Sequence, residues 1–322
     1  MTGAARLRRL RPPIAVLAAA MSLAGCASIQ KMAVNKLGDF LASGNSVYET
    51  DDDPELIASA LPFGLKLMES LLQTSPEHPG LLLAACKGFT VYSYAYVDGE
   101  AKRLEDTDLE AARTMRARAR RLHLRAWGYG QRGLARATKT SPEALLADPQ
   151  PALARLKEKD VPLLYWSAAS LGLAISDSRG EAEMIARLPV VEALLARARA
   201  LDPDWDRGSL DEFDIVLAGT RPGAPLDEKR LREDYERALR LSEGQRASLF
   251  VGYAESSAVQ RQDAGEFRDL LDRALAIDPD AHTEIRLANV LAQRRARWLL
   301  DHVDALFLDA GEPTTSSGKE RP

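Results

Sequence analysis

The chain is expected to be all-α, an array of antiparallel helix pairs, and three observations carry that expectation. Apolar residues recur at three- and four-residue spacing along almost all of the 322 residues, while the alternating apolar and polar runs of half-buried strands are missing. Proline and glycine gather at the junctions between periodic stretches, where they stop helices. A helix-and-stop pattern also recurs: Leu194-Leu195-x-x-Ala198-x-x-Leu201-Asp202-Pro203 resembles Leu270-Leu271-x-x-Ala274-Leu275-x-x-Asp278-Pro279.

Tyr235-x-x-Ala238-Leu239-x-Leu241-Ser242 repeats that helix without the proline, and Met68-x-x-Leu71-Leu72-x-x-Ser75-Pro76 is a weaker copy. With Glu243 taken as the proline-equivalent position, the stops at 203, 243 and 279 lie 40 and 36 residues apart. These spacings are near the roughly 34-residue tetratricopeptide (TPR) period, so the expected fold is a TPR-like α-α superhelix. The alternative is a generic helical bundle.

Composition narrows the classes. With 46% hydrophobic and 28% charged residues the chain can bury a core, which excludes disorder and a polytopic membrane protein. Two cysteines exclude a disulfide scaffold and a Cys-based zinc fold. A net charge of −4 argues against a general nucleic-acid binder.

The elements follow in order. Arg6, Arg8, Arg9 and Arg11 form a positive region before the apolar stretch Ile14 to Gly25. Twelve helical residues span about 18 Å, too short for a bilayer core of roughly 30 Å, so residues 1–25 read as a signal peptide. Leu23-Ala24-Gly25-Cys26 resembles a bacterial lipobox, which makes Cys26 the expected lipid attachment point. Ala27 in place of Asp fits the outer-membrane sorting pattern. Cleavage would remove four arginines and no acids, taking the net charge from −4 to −8. The expected body runs over 26–310, and the Gly-, Pro-, Thr- and Ser-rich tail 311–322 is expected to be disordered.

Within the body, Ile29 to Leu41 reads as a short helix and Leu61 to Leu72 as the next. Leu81 to Val97 is apolar and tyrosine-rich, and Leu109 to Ala137 is arginine-rich. Val161 to Ser176, Glu181 to Leu201, Leu210 to Leu217 and Asp227 to Leu241 follow. Gln245 to Gln262, Gly265 to Ile277 and His282 to Leu308 complete the set.

Catalytic motifs are wanting. Gly128-Tyr129-Gly130-Gln131-Arg132-Gly133 matches the dinucleotide fingerprint in letters, but that fingerprint needs a preceding strand, and here an arginine-rich helix precedes it. No two of His78, His123, His282 and His302 have zinc-helix spacing, and neither a nucleophile elbow nor a phosphate loop occurs. No enzyme, metal or cofactor is therefore expected. Cys86, in an apolar run, reads as a buried inert thiol.

The basic helix carries Arg113, Arg116, Arg118, Arg120, Arg121, Arg125, Arg132 and Arg136, with 118, 121, 125 and 132 on one face. Salt bridging with Glu100, Glu105, Asp106, Asp108 and Glu110 is the simpler expectation. A guanidinium lining that grips a carboxylate ligand is the other.

The residues also resemble a known family in order along the chain. After the lipobox come Ala95-Tyr96-Val97 with Glu100-Ala101, Arg118-Ala119-x-x-Leu122 with Arg125 and Tyr129, and Asp160-Val161-Pro162-x-Leu164-Tyr165-Trp166. Leu188-Pro189-x-Val191-Glu192-Ala193-Leu194, Tyr253-Ala254-Glu255, Arg286-Leu287-Ala288-Asn289 and Arg294-Arg295-Ala296-Arg297-Trp298-Leu299-Leu300 continue the series. Together they resemble the T component (TatT) of tripartite ATP-independent periplasmic (TRAP) transporters. Gly128, Gly130 and Gly133 depart from the pattern and are expected to loosen the helix around Tyr129.

The resemblance implies a TPR-like periplasmic lipoprotein, a homotrimer around a central pore, that docks the substrate-binding P component of a TRAP system. It further implies passage of a hydrophobic or organic-acid ligand to the permease. On that reading Tyr94, Trp127, Tyr165 and Trp166 are expected on or near the lumen, where flat aromatic faces suit apolar ligands. Arg125 is the expected partner of an anionic ligand group. The alternative is an envelope scaffold that binds proteins and no small molecule.

Overall fold

The structure is a computed structural model that describes Met32, 34–39, 47–178, 180–219 and 226–308. The expected signal peptide, Cys26 and the tail from 311 lie outside the described residues, where every regular element is helical.

Helix α1 (Pro54–Thr74) starts where Asp53 accepts a hydrogen bond from the Leu56 amide at 2.9 Å and Pro54 occupies the first turn. Helix α2 (Pro79–Tyr92) is capped by His78 and continues through a π-helical turn, Ser93–Asp98, into α3 (Gly99–Leu104). Asp108 caps α4 (Leu109–Thr138), which ends on Lys139 in the left-handed region. Two short helices, Pro142–Ala147 and Gln150–Leu153, lead to α5 (Val161–Asp177). The helix expected over Glu181 to Leu201 is two: Ala182–Ile185, then α6 (Leu188–Leu201), which Pro189 opens.

In the C-terminal half lie α7 (Ser209–Gly219), α8 (Glu228–Leu241) and α9 (Ala247–Tyr253). A second π-helical turn, Ala254–Ala258, carries α9 into Val259–Arg261. Helices α10 (Ala264–Leu275) and α11 (Arg286–Asp301) follow, with a last turn Val303–Leu306. Helix α8 stops without a proline because Glu243 and Gly244 take φ of 53° and 70°, which a proline ring cannot adopt.

The core falls into three successive clusters. Leu65, Leu72, Leu81 and Phe89 anchor the first, Trp127, Leu164, Leu171, Leu194 and Phe213 the second, and Tyr253, Phe267, Leu271 and Leu299 the third. Helix α2 packs between α1 and α4, α4 on α5, and α5 on α6; farther along, α9, α10 and α11 pack together. The two ends of this series meet. Arg294 of α11 pairs with Glu55 of α1, and the Leu287 amide donates to the Glu49 carbonyl at 3.0 Å.

The glycines of the 128–133 run do not loosen α4, which is continuous from Leu109 to Thr138. They let neighbours approach instead. A Cβ on Gly130 would stand 2.5 Å from Ser167 Oγ and 3.0 Å from Cys86 Sγ, and one on Gly133 would stand 2.9 Å from the Leu163 side chain. Cys86 is fully buried there, and burial pushes its thiol up to about 12.

Candidate functional site

The π-helical turn after α2 sets the first wall of an internal site. A π turn adds one residue to the helical ladder and re-aims the side chains around it. Ser93 Oγ donates to the Ala119 carbonyl of α4 at 2.9 Å and pins the turn. Tyr94 then projects with 43% of its surface exposed, yet burial raises its phenol above the ordinary value. Both hold together for a side chain with protein crowded around it that solvent still reaches.

Lys102 of α3 stands beside Tyr94. Its Nζ lies 5.6 Å from the Tyr94 ring centre and 3.2 Å from Asp98 Oδ2. Burial alone would lower the ammonium, but Asp98 and Glu255 outweigh it and hold the group above its usual value. Glu255 comes from the second π turn, Ala254–Ala258, and is bonded by Arg295 of α11 at 2.6 Å. The two π turns of the chain thus bring their charged side chains to one place.

Tyr165 of α5 supplies an aromatic wall. Its ring lies 5.1 Å from Trp166, 4.6 Å from Trp205 and 6.0 Å from Phe213. Burial drives the Tyr165 phenol far up, and the charges of Glu212 and Asp206 reinforce the shift. Arg246 neutralises that pair, at 2.9 Å from Asp206 and 3.7 Å from Glu212. The charge of Glu212 raises the phenols of both Tyr94 and Tyr165.

Behind the wall sits a buried polar pair. His123 Nδ1 lies 2.7 Å from Asp177 Oδ2, and His123 Nε2 has no hydrogen-bond partner. Burial raises the Asp177 carboxyl, against the hydrogen bond from His123, and the charges of Asp98 and Lys102 reach it.

The five expected ligand residues are not all brought together. Tyr165 has Trp166 edge-on to it, and Trp166 lies 5.6 Å from the Lys87 ammonium, while Tyr94 lies beside Lys102. Trp127 is 4% exposed and belongs to the central core, so it lines no open space. Arg125 is on the outer side of α4, bonded to Glu69 of α1 beside Tyr129. Lys102, Glu212, Arg246 and Glu255 were not foreseen as site residues. A signal for two of the walls is present in the sequence: Tyr94-Ala95 and Tyr253-Ala254 repeat, and each pair falls at a π turn.

Among the described residues, no cluster of three His, Cys, Asp or Glu could hold a metal, and no helix is long and apolar enough to cross a membrane. Paired charges and stacked aromatic rings on an all-helical scaffold are the features that define this class of protein among the described residues. The chain belongs to the TRAP transporter T-component family, which it matches over residues 50–307. It is also similar to an uncharacterized protein of Treponema pallidum (strain Nichols), with 29% identity over 91% of this chain and 96% of the relative. Membership gives the chain an accessory part in TRAP transport, in a family of transport components rather than enzymes.

Proposed function

We propose that this T component holds a small ligand in its interior while docked to the substrate-binding P component of a TRAP system. The observation that carries this reading is the half-exposed Tyr94 ring with the Lys102 ammonium 5.6 Å from its centre, together with the aromatic group of Tyr165, Trp166 and Trp205. Aromatic faces hold an apolar body, and a Lys102 N–H beyond its Asp98 bond is the cation that an organic acid would meet inside. Arg125, on the outer side, is reserved for anionic groups that approach from outside.

The rest of the proposal concerns assembly and address. Residues 1–25 are a signal peptide, and Cys26 carries the lipid that tethers the protein to the outer membrane, facing the periplasm. The helix pairs stack as a TPR-like superhelix, and three copies form the working unit. Helix-pair arrays of this kind present the extended surfaces that bind other polypeptides.

A pull-down from periplasm with the chain from residue 27, followed by mass spectrometry of proteins and small molecules, tests the reading. Recovery of a P component with a co-purified organic ligand, lost in a folded Tyr165→Ala variant, is expected. Ligand binding unchanged in Tyr165→Ala removes the interior site. Recovery of envelope proteins with no small molecule favours the scaffold reading.

A further inference from the structure

The outer side of α4 carries a second, unassigned site. Taking Arg125 as reference, Arg118, Arg121, Arg132 and Arg136 fall within about 40° of it at 100° per residue, along about 27 Å of helix. All five are exposed. Three of them, seven residues apart, lie against aromatic rings. Arg118 is 6.0 Å from the Tyr92 ring centre, Arg125 is 5.0 Å from Phe89, and Arg132 is 5.5 Å from Tyr129.

Arg118 also donates to the Tyr92 hydroxyl at 3.3 Å, and Arg132 donates to the Pro76 carbonyl at 2.5 Å. These stacks and bonds fix the planes of long side chains that would otherwise lose rotamer freedom on binding.

The row is not neutralised. The acidic segment before α4 turns elsewhere: Glu100 pairs with Arg103, Glu105 with the inward Arg116, and Asp108 caps the helix. Among the described residues Glu69 is the carboxylate bonded to this row, and it is shared with Lys66 at 2.7 Å and Tyr129 at 2.5 Å. Lys66, Arg125 and Arg132 thus border a cleft of about 240 Å³ between α1 and α4 with two positive charges in excess. Phe63, 76% exposed, stands one turn from Lys66 on α1.

We propose that this guanidinium ladder is a docking surface for an acidic polypeptide that presents carboxylates about two helical turns apart. The charge of a partner follows from the uncompensated row on a chain whose own net charge is −4. A polypeptide fits better than a lipid surface because the forks are held at fixed spacing on rings. Carboxylates fixed on a folded partner match that spacing, and mobile headgroups gain nothing from it. Arginine with an exposed phenylalanine is also the composition of protein interface centres.

The test uses the full chain and a labelled helical peptide of about 21 residues with Glu at positions i, i+7 and i+14, beside the same peptide with Gln. Anisotropy is expected to show the Glu peptide binding about tenfold tighter than the Gln peptide in about 50 mM NaCl, with that gap closing near 300 mM. The variant R118Q/R121Q/R132Q, which spares the Glu69 pair, is expected to lose about tenfold in affinity for the Glu peptide. The single variant R121Q, which removes an exposed guanidinium that holds no carboxylate among the described residues, keeps the test open should the triple variant misfold.

Equal binding of the two peptides, or unchanged affinity in both variants, overturns the proposal. So does failure to bind the Glu peptide together with arginine-dependent binding of phosphatidylglycerol vesicles. Dissociation of an oligomer by the substitutions in sedimentation would show that a second copy covers the row, and would overturn it as well.

Discussion

The interior and the outer side of the α1–α2–α4 layer use the same residue types to opposite ends. Inside, each cation has its carboxylate: Lys102 has Asp98, Arg295 has Glu255, and Arg246 has Asp206 and Glu212. Outside, among the described residues, Glu69 is the carboxylate bonded to the row of five exposed arginines and Lys66, and it reaches Arg125 and Lys66. The difference follows from solvent. An unpaired charge among desolvated groups costs several kcal/mol, whereas one in water costs almost nothing and remains available to a partner. The interior therefore offers rings and neutralised pairs, and the outside offers free guanidinium edges.

Helix α4 forms the partition between the two, and its glycines give the largest expected effect. Gly130→Leu would drive a side chain into Ser167 and Cys86, and is expected to destabilise the fold by about 3 kcal/mol. A Cβ on Gly128 would meet nothing within 4 Å, so Gly128→Ala is expected to be neutral or stabilising by about 0.5–1 kcal/mol. Thermal unfolding of the two variants checks the contrast, and equal losses would show that the partition is not tightly packed at Gly130.

The next effect comes from the interior alone. Lys102→Met leaves Asp98, which is 6% exposed, without its ammonium. The expected loss is about 2 kcal/mol, below the full cost of a broken buried pair because Lys102 itself reaches solvent. Urea unfolding measures it. A Lys102→Met protein as stable as the parent would mean that the Asp98 side is wetter than the structure implies.

The sequence made the helices legible and the site only partly so. Strong periodicity marked α4, α8 and α10, whose first turns the structure caps with Asp108, Asp227 and Asp263. The short helices Pro142–Ala147 and Gln150–Leu153 escaped because they are too brief to show a period. The π turns escaped because one inserted residue leaves helical spacing nearly unchanged, so the sequence named Tyr94 as a candidate and passed over Lys102 beside it. Trp127 and Tyr165 looked alike as helical aromatics, but α5 packs on α4 and closes over Trp127. Register gives a side chain's face, not which neighbour covers it. The charges misled in the same way, since the carboxylate that reaches Arg125 lies 56 residues away in α1.

The smallest effect separates the two environments by sign. Glu69 is held below its ordinary value: burial opposes this, and the bonds from Lys66, Tyr129 and Arg125 prevail. Its contribution to stability is present above a pKa of about 4.5 and is lost as the pH falls through the lower folded value. Asp177 is held above its ordinary value by burial, against the bond from His123. Its contribution is present below about 3.8 and is lost as the pH rises through the higher folded value. Relative to the parent, Glu69→Gln should therefore lose stability as the pH rises to about 4.5, and Asp177→Asn should gain it as the pH rises above about 3.8. Melting temperatures across these ranges give both slopes. Slopes of the same sign would mean that the two carboxylates sit in like surroundings, and the distinction between a neutralised interior and a charged exterior would not hold at these positions.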